Sequence, residues 1–305
     1  MNMQVKGMEM PENARKWLWP LWIAGMILLC FLFPVGTQAA SYWTVTQRGT
    51  ASGSQGMFYT ITDSRGRLII IDGGWESDAN RVLSVIRRHQ NHVYAWFITH
   101  PHSDHVGAFN RIMSTRNRIR VDHIYVTAVN GARYRATADA SWDEYGAYRK
   151  FLRVTKGRRL SYLRENNTRT VLGLRVKVLH GWDSSVDRLK GGLCNNGSLM
   201  LKFSGKKQSM LFCADTQKDV EKTIIRRHRR ELRCDYVQCA HHGNWGLTKE
   251  FYRCVGAKVA FFDAPERSLS NKNSSYNAGV LIPWFRSRHT RIFRMSKAPN
   301  SVTLR

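Results

Sequence analysis

Phe97-Ile98-Thr99-His100-Pro101-His102-Ser103-Asp104-His105 packs three histidines and an aspartate into its last six residues. The stretch closes an apolar run, Val93 to Ile98, that reads as a buried β-strand. Neutral imidazole and carboxylate are the donors that Zn²⁺ and Mn²⁺ bind. Alternate side chains of an extended segment share one side, so His100, His102 and Asp104 are expected to face one site, with His105 turned towards it from the other side. A lone histidine is usually a hydrogen-bonded core or surface residue. The cluster T-H-x-H-x-D-H instead has the spacing of a metal site.

Working outward, SYWTVTQ (41–47), GMFYTITD (56–63) and RLIIIDGG (67–74) read as three short strands divided by Gly/Ser turns. Gly73 and Gly74 permit a tight turn that leaves Asp72 at the carboxyl end of its strand. Asp78 is expected to cap a helix from Ala79 to His89. After the histidine stretch come a helix, Val106 to Ser114, and the strand VDHIYVT (121–127). This β-α-β alternation puts the histidines at the carboxyl end of a parallel strand, where α/β sheets carry their sites. Residues 130–170 break the pattern and read as a basic, aromatic insertion with one helix, Ala140 to Leu152, placed to cover the site or touch substrate.

A second half follows: GLRVKVLH (173–180), NNGSLMLKF (195–203), KQSMLFCADT (207–216), a helix Lys218 to Arg229, CDYVQCAHHGN (234–244), a helix Thr248 to Val255, and KVAFFDA (258–264). Asp215 alone would read as a helix cap, and His241-His242 alone as a surface turn. Both follow apolar runs, as His100 does, which makes them site candidates. Two successive halves of strands and then helices predict an α/β fold: a two-sheet sandwich with helices outside. Sequence identity reveals no internal repeat.

The chain carries 48 Lys+Arg against 22 Asp+Glu, a net charge of +26. Residues 1–40 hold only three of the former and two of the latter, so nearly all the excess lies beyond them. Such an excess suits a polyanionic partner: nucleic acid, a teichoic-acid-like polymer or an anionic membrane surface. Residues 17–47 carry no charge, and LWIAGMILLCFLF (21–33) follows Arg15 and Lys16. A basic start, a short apolar core and then small residues describe a signal peptide. Trp17 to Gly36 is also long enough to be a membrane anchor. Either reading expects the rest of the chain, residues 41–305, to be one extracytoplasmic domain. Five cysteines lie beyond the apolar segment, without paired C-x-x-C spacing, which argues against a zinc ribbon. A bridge from Cys234 to Cys254 or Cys239 is compatible with export.

Taken together, Asp72-Gly73-Gly74, T-H-P-H-S-D-H, Asp215 and His242 resemble the metallo-β-lactamase superfamily. Within it, N-N-G-S-L-M-L (195–201), C-A-D-T (213–216) and A-H-H-G-N (240–244) look most like the extracytoplasmic domain of the DNA-uptake protein ComEC and the related phosphorylcholine esterases. The resemblance implies an αββα sandwich with two divalent metal ions, Zn or Mn, at one edge. His100 and His102 would hold the first ion, Asp104 and His105 the second, and Asp215 would bridge them. His242 would be the last ligand, while His241 faces the site and Asp72 orients it. Many members have a further histidine before the bridging aspartate, whereas this chain offers Asn195 and Asn196. Asparagine is a poor Zn²⁺ ligand and a fair Mn²⁺ one.

Two cations of this kind activate water near neutral pH and neutralise charge on a phosphoryl group. The expected activity is therefore hydrolysis, with Asp104 and His241 as the catalytic residues. The net charge favours a phosphodiester in DNA or a phosphate-bearing surface polymer. Arg133, Tyr134, Arg135 and the run Arg149 to Arg164 resemble a groove for a single strand. The alternatives are another hydrolase of the superfamily, such as a lactonase or β-lactamase, and a non-catalytic polyanion-binding protein.

Overall fold

Every residue of the strand Leu68-Ile69-Ile70-Ile71-Asp72 is buried, because both faces of the strand are covered. Ile69 and Ile71 belong to a core shared by two sheets, while Leu68 and Ile70 pack among helices on the outside. The computed structural model describes residues 42–139 and 145–305. The segment 1–40, read above as a signal peptide or anchor, lies outside the described residues. Among the described residues no helix is long and apolar enough to cross a membrane.

The described residues form β1 (Trp43–Gln47), β2 (Phe58–Asp63), β3 (Leu68–Asp72), β4 (His92–Val93), β5 (Ala95–Ile98), β6 (Arg120–Val121), β7 (Ile124–Thr127) and β8 (Leu160–Leu163). They continue with β9 (Thr168–Val171), β10 (Leu174–His180), β11 (Met200–Ser204), β12 (Ser209–Phe212), β13 (Tyr236–Gln238), β14 (Val259–Phe262), β15 (Arg291–Arg294) and β16 (Asn300–Leu304). One sheet has the order β16-β1-β2-β3-β5-β7-β8 and the other β15-β14-β13-β12-β11-β10-β9, while β4 and β6 form a separate pair. Along the first sheet the pairings from β16 to β3 are antiparallel and those from β3 to β8 parallel. The second sheet repeats this change, antiparallel from β9 to β12 and parallel from β12 to β15. This is the sandwich expected from the two halves.

Aromatic residues lock the sheets face to face. Phe97 meets Phe203 edge-on with ring centroids 5.3 Å apart, and Phe212 lies 5.5 Å from Phe203 and 5.2 Å from Tyr59. Each such ring contributes roughly 1.5–3 kcal/mol by leaving water. On the outer face, Trp96 packs edge-on against Phe109 of the helix Ser103–Met113.

Several local expectations are corrected. The helix after the histidine stretch begins at Ser103, not Val106, with His102 as its N-cap. Asp104 and His105 therefore project from a helical first turn, and the strict alternation expected of His100, His102 and Asp104 ends at His102. Asp78 does not cap its helix through the side chain. Its carboxylate accepts from the backbone N–H groups of Ala51 and Trp75, tying two loops together. Asn195 and Asn196 end a short helix, Leu193–Asn196, rather than opening a strand.

Segment 130–170 is less of an insertion than its composition suggests, since β8 pairs with β7 and extends the first sheet. The helix Tyr145–Val154 buries Tyr148 and Phe151, and Asn110 Nδ2 donates to the carbonyl of Ala147. Residues 140–144, the start of the expected helix, lie outside the described residues. Tyr134 is wholly buried, and the Arg133 guanidinium donates to the carbonyl of Asp187. Tyr134 is thus closed to a nucleic acid, and Arg133 is partly committed to the backbone. Neither expected bridge forms: Cys234, Cys239 and Cys254 are free thiols, as is Cys213.

Candidate metal centre

The parallel strands of both sheets carry the expected residues at their carboxyl ends. His100 and His102 follow β5, and Asp104 and His105 open the helix after it. Asp215 follows β12, and His241 and His242 follow β13. One ligand atom from each of Asp104, His105, Asp215 and His242 lies within 4.8 Å of the others, and all four residues are buried. This set comprises the residues that the resemblance gives to the second cation, together with the bridging aspartate. His100 borders it, with Nε2 3.9 Å from Asp215 Oδ2. His102 stands next, its ring centroid 4.7 Å from that of His100. His241 is the most open of the group, with Nε2 3.7 Å from Asp215 Oδ2 and 18% of its side chain exposed.

The donor atoms point past one another. His105 Nε2 lies 3.1 Å from Asp215 Oδ1, and His242 Nε2 lies 3.0 Å from Asp104 Oδ2. Yet His105 Nε2, Asp215 Oδ1 and His242 Nε2 make no hydrogen bond of acceptable geometry, and His100 Nε2 is equally unpartnered. Buried polar atoms are almost always satisfied. Four that converge without satisfying one another fit a shared cation.

Charge supports this fit. Burial opposes protonation of His105, but Asp215, Asp104 and Asp72 outweigh it and hold the pKa well above the imidazole range. Burial also opposes protonation of His242, yet Asp215 and Asp104 push its pKa up to about 10. Burial would raise the pKa values of Asp104 and Asp215, but His105 above all, and then His242, hold both low. The two carboxylates thus draw positive charge into the cluster. A divalent cation would supply it in place of the histidine protons, since metal binding to imidazole releases protons. His100 moves the other way, held well below the ordinary range by burial and by His105. It stays neutral, the form that ligates.

Asp72 arranges one side of the centre. Its Oδ1 accepts from the Thr99 N–H at 2.8 Å, and its Oδ2 accepts from Thr99 Oγ1 at 2.7 Å and faces His105 Nδ1 at 2.7 Å. A carboxylate on Nδ1 leaves Nε2 of His105 for a metal. Asn196 steadies the other side, because its Nδ2 donates to Gln217 Oε1 and Asp219 Oδ2, just past Asp215. Asn195 Oδ1 is buried without a partner.

Two supporting residues escaped the sequence reading. Thr99 was visible only as the first letter of its motif. Gln238 accepts the N–H groups of Cys213 and Ala214 and so fixes the turn that presents Asp215. Its position at the end of β13 was the only available signal. Backbone strain gathers here too: Asp72, Ala214, His241 and His242 have φ of 54°, 47°, 50° and 60°. Left-handed conformations at non-glycine residues cluster at functional sites.

Residues 52–180 match the family model described as the metallo-beta-lactamase superfamily. Among solved structures, the metallo-β-lactamase fold protein YhfI from Bacillus subtilis is similar at a TM-score of 0.51 and 10% identity, over 86% of this chain and 99% of that one. CmlA, a diiron β-hydroxylase from Streptomyces venezuelae, is similar at a TM-score of 0.53 and 13% identity, over 86% of this chain. The chain spans about half of CmlA's length, 54%. No curated protein matches. At these identities the structural likeness speaks for the fold.

Proposed function

We propose that this member of the metallo-β-lactamase superfamily is an exported, metal-dependent phosphodiesterase acting on an anionic polymer, DNA or teichoic-acid-like. The observation that carries the metal-dependent part is the buried quartet Asp104, His105, Asp215 and His242, in which His105 Nε2, Asp215 Oδ1 and His242 Nε2 stay unsatisfied. The net charge of +26 supports the substrate class. The resemblance to the ComEC-like and phosphorylcholine-esterase subgroup points the same way.

Asp104, His105, Asp215 and His242 would hold one cation, and His100, His102 and Asp215 the other. Two bound divalent ions, Zn or Mn, supply Lewis acidity that polarises a phosphoryl oxygen and acidifies water. The protein's own part is orientation and proton transfer. Asp72 fixes the His105 ring and, through Thr99, the start of the histidine loop. His241, the most open of the cluster at 18% side-chain exposure, would donate a proton to the departing oxygen. Burial holds its pKa below the ordinary imidazole value.

The experiment is elemental analysis of the purified protein, with bis-p-nitrophenyl phosphate, single-stranded DNA, a lactone and a β-lactam offered in parallel. Bound divalent metal with cleavage of the two diesters is expected. Cleavage of the lactone or β-lactam alone would overturn the substrate class, and metal-free protein with full activity would overturn the metal. Export is tested separately by a reporter fused after Gly56, which should be active outside the cytoplasm and not within it.

A further inference from the structure

We propose that a cleft between Arg48 and Arg81 is a second anion site, taking a phosphate group of the polymer beyond the one at the metals. The cleft encloses about 270 Å³, with Arg48, Gly49, Thr50, Arg81, Glu266 and Met295 among its walls. Its charge is weighted towards the positive, although the Asp78 carboxylate lies near Arg81. Arg48 Nε donates to Thr60 Oγ1 at 3.0 Å, and Arg81 donates to the backbone carbonyl of Arg48. Among the described residues no carboxylate forms an ion pair with either guanidinium. The one acid in the wall, Glu266, is already engaged by Arg294 at 2.5 Å and by Ser296 Oγ at 3.1 Å. Two half-buried guanidiniums thus line a cavity with their remaining N–H groups free. Burial, followed by Arg88 and Arg81, pulls the pKa of Arg48 down, as crowding of like charge in a partly dry cleft would. An oxyanion would relieve that crowding, and the planar guanidinium fork matches phosphate geometry.

Position ties the cleft to the metal centre. The loop after Arg48 runs from Gly49 to Gly56, and its far end meets the ligand helix, where Met57 N–H donates to the carbonyl of Asp104 at 3.1 Å. Thr50 and Gly56 are six residue steps apart, at most roughly 20 Å of chain. One strand of polymer can therefore reach both sites. This polymer reading rests on the proposed phosphodiesterase, whereas the anion site does not.

The test is calorimetric titration of the metal-loaded, full-length protein with inorganic phosphate and, separately, with a single-stranded dodecathymidylate. Phosphate held at the metals contributes alike to every protein compared. Arg48→Gln and Arg81→Gln should each weaken both ligands by about 10-fold, the scale of a lost charge-assisted hydrogen bond. Arg81→Lys keeps the charge without the fork and should fall between. Lys258→Gln, an exposed lysine paired with Asp235, should bind as wild type does and so controls for net charge. Should a glutamine variant unfold, the comparison of Arg81→Lys with wild type decides. Isotherms that superimpose, or an equal loss in Lys258→Gln, would overturn the site. Weakened phosphate with unchanged oligonucleotide would overturn the polymer reading and leave a site for free phosphate. Loss of binding in a protein that cleaves no diester would keep the cleft and sink the phosphodiesterase.

Discussion

The two sheets contribute to the metal centre in different ways. From the first, Asp72 reaches Thr99 and His105 through three contacts of 2.7 to 2.8 Å. The donors on that side are aimed before any ion arrives. From the second, His242 has both ring nitrogens buried without a hydrogen-bond partner, and its turn is built on left-handed residues. That turn is held by bonds to its backbone, with the His241 N–H donating to the carbonyl of Ala214 at 2.7 Å and the Ala240 N–H to Tyr252 Oη at 2.9 Å, and by packing. At Gly243, with φ of 93°, a Cβ would lie 2.2 Å from the Phe262 ring. The first side is thus oriented by polar bonds to a ligand ring itself, whereas on the second the bonds reach the backbone of the turns and leave the His242 ring to shape and to a cation.

The largest effects should come from removing a ligand on either side. Asp104→Ala and His242→Ala should each lower diester turnover by about 10³-fold or more, since each strips part of the charge that stabilises the transition state. Elemental analysis should show metal lost from both. A His242→Ala protein that keeps most of its turnover would mean that the second side is dispensable, and the contrast would collapse.

His241→Ala should cost less, roughly 10²-fold in turnover, within the range of a general acid, and should leave most metal bound. If His241→Ala loses the metal while His242→Ala keeps it, the two histidines have exchanged roles.

Asp72→Asn sharpens the contrast from the other side. It replaces a carboxylate that aims His105 without touching the ligand set, so metal affinity should drop by about 10- to 100-fold. Metal titration reads this, and an unchanged affinity would show that the polar bonds of the first side do no orienting.

The smallest effect is a difference in loosening. Chelation should reduce stability by roughly 3 kcal/mol at metal 100-fold above its dissociation constant. Hydrogen exchange should then quicken more at Ala240 to Gly246 than at Thr99 to His105. Equal acceleration on both sides would remove the distinction.

Much of the first side was legible because its signals are contiguous. His100, His102, Asp104 and His105 sit in one motif, and LIIID announces a strand covered on both faces. The helices from Ala79 and from Lys218 end within a residue of their expected limits. What could not be read depends on distant partners. β8 is identified by its pairing with β7, across two helices, Gly131–Thr137 and Tyr145–Val154, and nothing in Leu160 to Leu163 reveals that register. Tyr134 looked like a nucleic-acid contact because composition cannot tell a buried tyrosine from an exposed one. It is enclosed by Tyr145, Tyr148 and Trp182. Asp78 looked like a helix cap, and its partner Ala51 lies 27 residues away.

One pairing also bears on how the protein is made. β1 lies between β2 and β16 in the first sheet, with Trp43 opposite Leu304 and Gln47 opposite Asn300. The sheet therefore cannot close during synthesis until Asn300 to Leu304 have emerged. Until then one edge of Trp43 to Gln47 is an open template for any other strand. Contacts of such sequence separation make folding slow and leave intermediates exposed to aggregation. A nascent chain of this protein would benefit from a chaperone that shields that edge until Asn300 to Leu304 dock.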